Sequence, residues 1–394
     1  MNQLALPAVC PIQRALATGL RTEVVRSARE LPCEWDVLVQ GAGLVLQRHY
    51  LAAMDAAPPE NAHQIMVLAW DGPELRGGAV FHVVALKVGQ LGTTEASAHW
   101  SVRWTLAGLG WLGGGTPHLL LCGNVLHSDA PGFVHAGVDD PAGLLRSLAD
   151  AARAAVEVPV HLVICTAADL GAAADDADGQ GFHRVRTAQP TMRVELRPEW
   201  ADMDDYLGAM RSKYRQRARS ARKKGRDLVR RELSLDELAA SGPVFDALME
   251  DVLDGAEVVL SVPRAPQLAA MKRALGEDMR VRLYLYEDRP VAFSVSLFDG
   301  LELDAMLVGM DDGANRSLKL YQNILYDYVE EGIQRGARAV AMGRCALEIK
   351  STVGAEPHHM DVFVQHPRLL PHLAVGLALR QLEAEDWTPR SPFK

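Results

Sequence analysis

Asp304 stands inside an otherwise apolar run, Leu301 to Val308 (LELDAMLV). A carboxylate in such a strand is a candidate general base, because burial raises its proton affinity toward neutrality. By strict alternation it shares a face with Glu302, which fits the solvent side of an edge strand equally well. Tyr321 and Tyr326 lie on the amphipathic segment that follows and offer O–H donors, although the apolar stripe of that segment also accounts for Tyr321 as core. Arg344 follows Met342-Gly343 at a strand end, where its planar fork suits an anion. His358 and His359 are adjacent, so in a strand only one of them could face a cleft. No Ser/His/Asp or Cys/His constellation is spaced for a covalent nucleophile. The five cysteines are far apart, with no CxxC and no zinc spacing, so neither a structural metal nor a disulfide framework is expected, and a reducing cytoplasm is the default location.

The second chemical feature is charge. Eleven of the twenty-one residues from Arg211 to Arg231 are Lys or Arg and one is Asp, so this segment carries +10 and the remainder −19 within a net charge of −9. Leu207, Met210, Tyr214, Ala218 and Ala221 recur at steps of three and four, which predicts a helix over 203–225 with a narrow buried stripe and a broad cationic face. Asp202, Asp204 and Asp205 suit its first turn and Gly225 its end. Such a face is either a solvated surface or an anion site, with Arg211, Arg215, Arg219 and Arg222 on a shared flank.

These residues must be positioned by a chain of 394 residues, long enough for two or three domains. No run of about 18 apolar residues occurs, so no membrane span is expected. Residues 1–20 read as a leader, and the glycine-rich stretch Leu106 to Gly115 lacks the spacing of a nucleotide loop. Val67 to Val84 (VLAWDGPELRGGAVFHVV) and Leu283 to Phe298 (LYLYEDRPVAFSVSLF) share one grammar: apolar strand, acidic turn with proline, strand opening on small residues. Each is followed by a long helix and another apolar strand, Pro141 to Val156 then Val158 to Cys165, and Leu318 to Gln334 then Ala339 to Met342. This repetition predicts two copies of one α/β (α+β) unit, over 21–197 and 198–394, each a mixed, largely antiparallel sheet flanked by helices.

Tyr206-x-x-x-Met210-x-x-Lys213-Tyr214-Arg215-x-x-x-Arg219-x-x-Arg222-Lys223-Lys224-Gly225 opens the second unit, and Gly343-Arg344 followed by Lys350 and Gly354 stands near its end. With these motifs the chain resembles the acyltransferases with tandem GNAT folds, the FemABX-like and CelD/BioF-like branch of the GNAT superfamily. The likeness is clearest over residues 200 to 365. It implies a splayed sheet with a cleft between two strands, and transfer of an acyl or aminoacyl group from an activated ester to an amine by direct attack. By resemblance Asp304 borders the donor and Lys350 lies near the donor carbonyl as an oxyanion donor, while Tyr321 and Tyr326 are the candidates of the helix itself for protonating the leaving group. GNAT enzymes hold the pyrophosphate of coenzyme A on an Arg/Gln-x-x-Gly-x-Gly/Ala loop at a helix start. Residues 309–317 (GMDDGANRS) depart from that pattern, leaving Arg316, Ser317 and Lys319, with Arg344, as the donor-binding candidates. The expected donor is an acyl-CoA or the phosphopantetheine thioester of an acyl carrier protein, with aminoacyl-tRNA as the alternative. The acceptor is a small-molecule or peptide amine, and the basic helix is where a carrier protein or tRNA would dock. A non-enzymatic nucleic-acid or phosphate binder is the remaining reading, although few aromatics interleave with the charges for base stacking.

Overall fold

The computed structural model describes residues 14–15, 19–86, 116–127, 130–166, 180–185, 190–254, 260–359, 361–379 and 387–394. Most of the expected leader, and the whole glycine-rich stretch 106–115, lie outside the described residues.

Two sheets form the frame. The first runs β1 (Arg14–Ala15), β2 (Arg21–Val25), β3 (Ala62–Asp71), β4 (Glu74–Ala85), β5 (His118–Cys122), β7 (Val160–Thr166), β16 (Val362–Gln365) and β8 (His183–Val185), with β6 (Phe133–His135) paired to β4. The second runs β10 (Val229–Glu232), β11 (Met279–Tyr286), β12 (Arg289–Phe298), β13 (Glu302–Met310), β14 (Ala339–Ala341), β9 (Thr191–Glu195) and β15 (Glu356–His358). The repeat read from the sequence occupies equivalent places: β3–β4 and β11–β12 are antiparallel hairpins. Each hairpin leads to one further antiparallel strand, and that strand pairs in parallel with the strand after a long helix. Parallel pairing needs a crossover. The helices α3 (Pro141–Ala155) and α10 (Leu320–Gln334) supply it. Asp140 caps α3 by accepting from the Gly143 N–H, with Pro141 in the first turn.

A boundary at 197/198 does not follow the sheets. β9, from the first half, pairs with β14 and β15, whereas β16, from the second half, pairs with β7 and β8. Each half completes the other's sheet, because a strand edge is satisfied by whichever backbone lies beside it in space.

Around the sheets lie α1 (Cys33–Leu38), α2 (Arg48–Ala56), α4 (Met203–Ala209), α5 (Ser212–Lys224), α6 (Leu235–Ala240), α7 (Gly242–Asp254), α8 (Ala265–Leu275), α9 (Asp312–Leu318), α11 (Leu347–Thr352) and α12 (Leu369–Leu379). One apolar core, including Trp35, Leu51 and Met66 of the first unit and Leu268, Phe293 and Val295 of the second, runs across both. α2 packs on α8 there, and Asn61 donates to Leu260 O at 2.8 Å while Gln267 donates to Pro58 O at 3.0 Å. The two units therefore bury their facing surfaces as a single interior. No described helix is long and apolar enough to cross a membrane.

Candidate functional site

The cleft forms where β13 leaves β14. Only Glu302, Leu303 and Asp304 pair with Ala339, Val340 and Ala341, so the parallel ladder ends at Asp304. Immediately afterwards β13 carries one extra residue against β12: Val295 faces Leu307 but Leu297 faces Asp304. A bulge bends the strand that carries it. This one turns Ala305–Met310 away from β14 and leaves that strand edge unladdered among the described residues. Tyr328 of α10 fixes the bend by donating to Val295 O at 3.1 Å and Leu307 O at 3.0 Å. In the first unit, by contrast, β5 keeps four of its five residues paired with β7, with its one register shift at His118/Leu119 at the start of the strand, and stops at Cys122. The divergent cleft belongs to the second unit.

Asp304 occupies the apex of that divergence, with its side chain 30% exposed. Its Oδ2 lies 2.5 Å from Nδ1 of His127, whose Nε2 lies 3.0 Å from the Tyr50 hydroxyl. Tyr50 belongs to α2 and His127 to the turn after β5, so the first unit reaches across to the second unit's carboxylate. His127 escaped the sequence reading because its partner is 177 residues away. The local signal, a histidine three residues beyond Gly123-Asn124 at a strand end, has no periodicity to reveal it. Glu302, two residues before Asp304, has a different task. Burial pushes its carboxyl up, but Arg193 at 2.5 Å and Arg338 at 2.6 Å outweigh that and hold it below the usual range.

The other cleft wall is the turn after β14. Gly343, Cys345 and Ala346 all have positive φ, 66°, 61° and 50°, a conformation that strains residues bearing a Cβ. Lys350, only 4% exposed, donates its ammonium to Gly343 O at 3.3 Å and to Arg344 O. It thus clamps the turn that carries Arg344. Tyr321 opens α10 beside this turn, and burial first, then the neighbouring Cys345, pushes its phenol above the usual value. A raised phenol keeps its proton, the state a donor needs.

Most of residues 309–317, whose sequence departs from the phosphate-loop pattern, is helical. Residues 312–318 form α9, capped by Asp311, which accepts from the Ala314 N–H at 2.8 Å. Lys319 then adopts a left-handed conformation and separates α9 from α10, so the expected helix 318–334 is shorter and preceded by a separate seven-residue helix. Arg316, Ser317 and Lys319 are exposed at this junction, and Ser317 Oγ donates back to Ala314 O.

The basic helix is two helices. α4 and α5 are broken at Met210–Arg211, both extended, where Arg211 N donates to Pro392 O at 2.8 Å and Met210 bridges Phe393. Tertiary hydrogen bonding to this segment overrides the continuous helical periodicity. The apolar stripe itself is as expected, with Met210, Ala218 and Ala221 buried in the second unit's outer core. Its arginines do not act alike. Arg211 and Arg219 are exposed, Arg215 donates to Gly208 O at 3.2 Å, and Arg222 turns inward to Asp327 and to Glu330 at 3.1 Å. Arg230, in β10 rather than on the helix, meets the other Asp327 oxygen at 2.8 Å. No group of three or more His, Cys, Asp or Glu among the described residues is arranged to hold a metal.

Residues 211–358 match the model of the acetyltransferase (GNAT) domain family. The structure superposes on the crystal structure of FemX with TM-score 0.50 and 11% identity, over 86% of this chain and 96% of that one. The chain shares its fold with FemX, and its residues 211–358 are those that match a GNAT domain. A tandem GNAT protein from the clavulanic acid biosynthesis pathway, solved without AcCoA, is also similar, with TM-score 0.48 and 14% identity over 88% of this chain and 99% of that one. No curated protein matches the sequence. The matched segment contains β13, β14 and α10, the elements that form the cleft. The domain match supports an acyltransferase, on that segment of the chain.

Proposed function

We propose that this protein is an N-acyltransferase that transfers an acyl group from a thioester to the amine of a small molecule or peptide, with Asp304 as general base. The observation that carries this reading is the position of Asp304 at the apex of the β13/β14 divergence. The amine nitrogen attacks the thioester carbonyl while Asp304 takes an N–H proton. The C–S bond then breaks, and Tyr321, or water, protonates the departing thiolate. An extended donor bearing amides, such as a pantetheine arm, suits the unladdered edge of Ala305–Met310, because it can add there as a strand. N–H groups on that edge are the better oxyanion donors, since Lys350 already holds the Gly343 and Arg344 carbonyls.

The donor is a phosphopantetheine thioester. Its carrier is better matched by an acyl carrier protein than by free coenzyme A, because α9 with its Asp311 cap stands where amides would cradle a pyrophosphate. α5 packs beside α9 and α10, and its exposed Lys213, Arg217, Arg219, Lys223 and Lys224 face outward there. That surface, adjoining Arg316 and Lys319, fits an acidic carrier and its phosphate, with Arg344 on the opposite cleft wall. Aminoacyl-tRNA is the second reading, supported by the same cationic face. Mass spectrometry of full-length protein incubated with an amine library and, separately, acyl-CoA, acyl carrier protein and aminoacyl-tRNA tests the assignment. Amide product from the carrier-bound donor is expected, and Asp304→Asn lowers its turnover by about 10²-fold or more with the fold intact. No amide from any donor refutes the enzyme.

A further inference from the structure

Asp304 is held from outside its own unit. At Gly123, whose φ of 124° lies in the region that favours glycine, the chain leaves β5 and turns through Asn124–His127, bridged at its ends. In the equivalent place β13 continues as the cleft strand. The first unit thus lacks the long diverging strand, and the same point in its chain delivers a side chain to the second unit's cleft.

The hydrogen bonds in that delivery run one way. Asn124 Oδ1 accepts from Leu126 N at 2.9 Å, and the Asn124 side chain hydrogen-bonds the Tyr50 phenol. With Asn124 Oδ1 engaged, its NH2 is the group that donates to the phenol oxygen, which leaves the Tyr50 O–H to donate to His127 Nε2 at 3.0 Å. With Nε2 an acceptor, the ring proton sits on Nδ1 and is donated to Asp304 Oδ2 at 2.5 Å. The rings of Tyr50 and His127 meet edge to face, with centroids 5.8 Å apart. The other titratable neighbours are His82 of β4, facing His127, and Tyr328 of α10, facing Asp304. The His127 side chain is 2% exposed and Tyr50 is 0% exposed, so neither can touch a substrate.

We propose that His127 is the positioning residue of the cleft base: locked as its Nδ1–H tautomer by Tyr50, it fixes one oxygen of Asp304 and leaves the other for the acceptor amine. This rests on the reading of Asp304 as base. It makes the first unit a working part of the second unit's site.

Nitrogen-15 NMR of histidine-labelled full-length protein tests the lock without any substrate. The His127 imidazole, assigned with His127→Asn, should carry its proton on Nδ1, and Tyr50→Phe should mix the tautomers. A wild-type ring protonated on Nε2, or a tautomer indifferent to both Tyr50→Phe and Asp304→Asn, overturns the proposal. Kinetics on the donor and amine identified by mass spectrometry supply the second arm. His127→Leu should lower kcat by about 10²-fold with KM within about threefold, as a misplaced catalytic group does. His127→Asn, whose amide can replace Nδ1–H, should recover to within about tenfold of wild type. Wild-type kcat in His127→Leu, or no recovery in a folded His127→Asn, also overturns it. A fully active Asp304→Asn would instead remove the base reading and leave the tautomer result to be judged separately.

Discussion

Asp327→Asn should destabilise the protein far more than its single lost charge suggests. Asp327 is 4% exposed on α10, and its two oxygens meet Arg222 of α5 and Arg230 of β10, which are 26% and 28% exposed. One carboxylate therefore ties three elements of the second unit together. Removing one partner of a buried ion pair costs about 3–5 kcal/mol. Here the arginines keep partial hydration and Arg222 retains Glu330, which reduces the expected loss to about 2–3 kcal/mol. Urea unfolding followed by circular dichroism reads this as a lower midpoint with unchanged slope. Replacing the pair by apolar groups, Arg222→Met with Asp327→Leu, should recover part of the loss relative to Asp327→Leu alone. Arg219→Glu on the exposed face of the same helix should stay within about 0.5 kcal/mol of wild type while weakening carrier-bound donor use. A loss below about 1 kcal/mol for Asp327→Asn, or a comparable loss for Arg219→Glu, would refute the division of this helix into an inward clamp and an outward surface.

Gly309→Ala would set a Cβ well inside van der Waals contact with the ring of Phe293, which stacks on Phe245 at 4.1 Å; overpacking of about 1–3 kcal/mol should appear as a lower melting temperature. Lys350→Met keeps the aliphatic stem but frees the Gly343 and Arg344 carbonyls, so hydrogen exchange across 343–346 should quicken and stability fall by about 1–3 kcal/mol; unchanged exchange would show that the clamp is not what holds the turn. Burial pushes His82 down to about 4, so the unfolded chain binds its proton first as pH falls below about 6.5. Its contribution, about 3 kcal/mol, is complete above pH 6.5 and lost on the way to pH 4. Urea midpoints across that range should decline with acid, and His82→Asn should flatten the decline.

Much of the architecture was legible in the chain. Alternation and turn chemistry located both hairpins, since Asp71-Gly72 and the Glu287-Asp288 pair with φ of 49° and 59° make local turns. Periodicity located α3 and α10, and the apolar stripe of the basic segment is the one that is buried. The likeness of the two halves, and with it the repeated unit, followed from these local signals.

What local sequence could not carry is whatever depends on a partner far along the chain. The exchange of β9 and β16 between sheets, the break at Met210–Arg211 under the segment ending at Lys394, and the inward turn of Arg222 are all decided by backbone or charge many residues away. Asp304 was visible as a polar residue in an apolar strand, but its alternation with Glu302 fitted a solvent face as well as a cleft. Only the end of its pairing with β14, and the His127 ring brought from the first unit, separate the two carboxylates. Residue type and period determined which elements exist; the tertiary structure decided which side chains face one another, because hydrogen bonds and ion pairs are satisfied in space rather than along the chain.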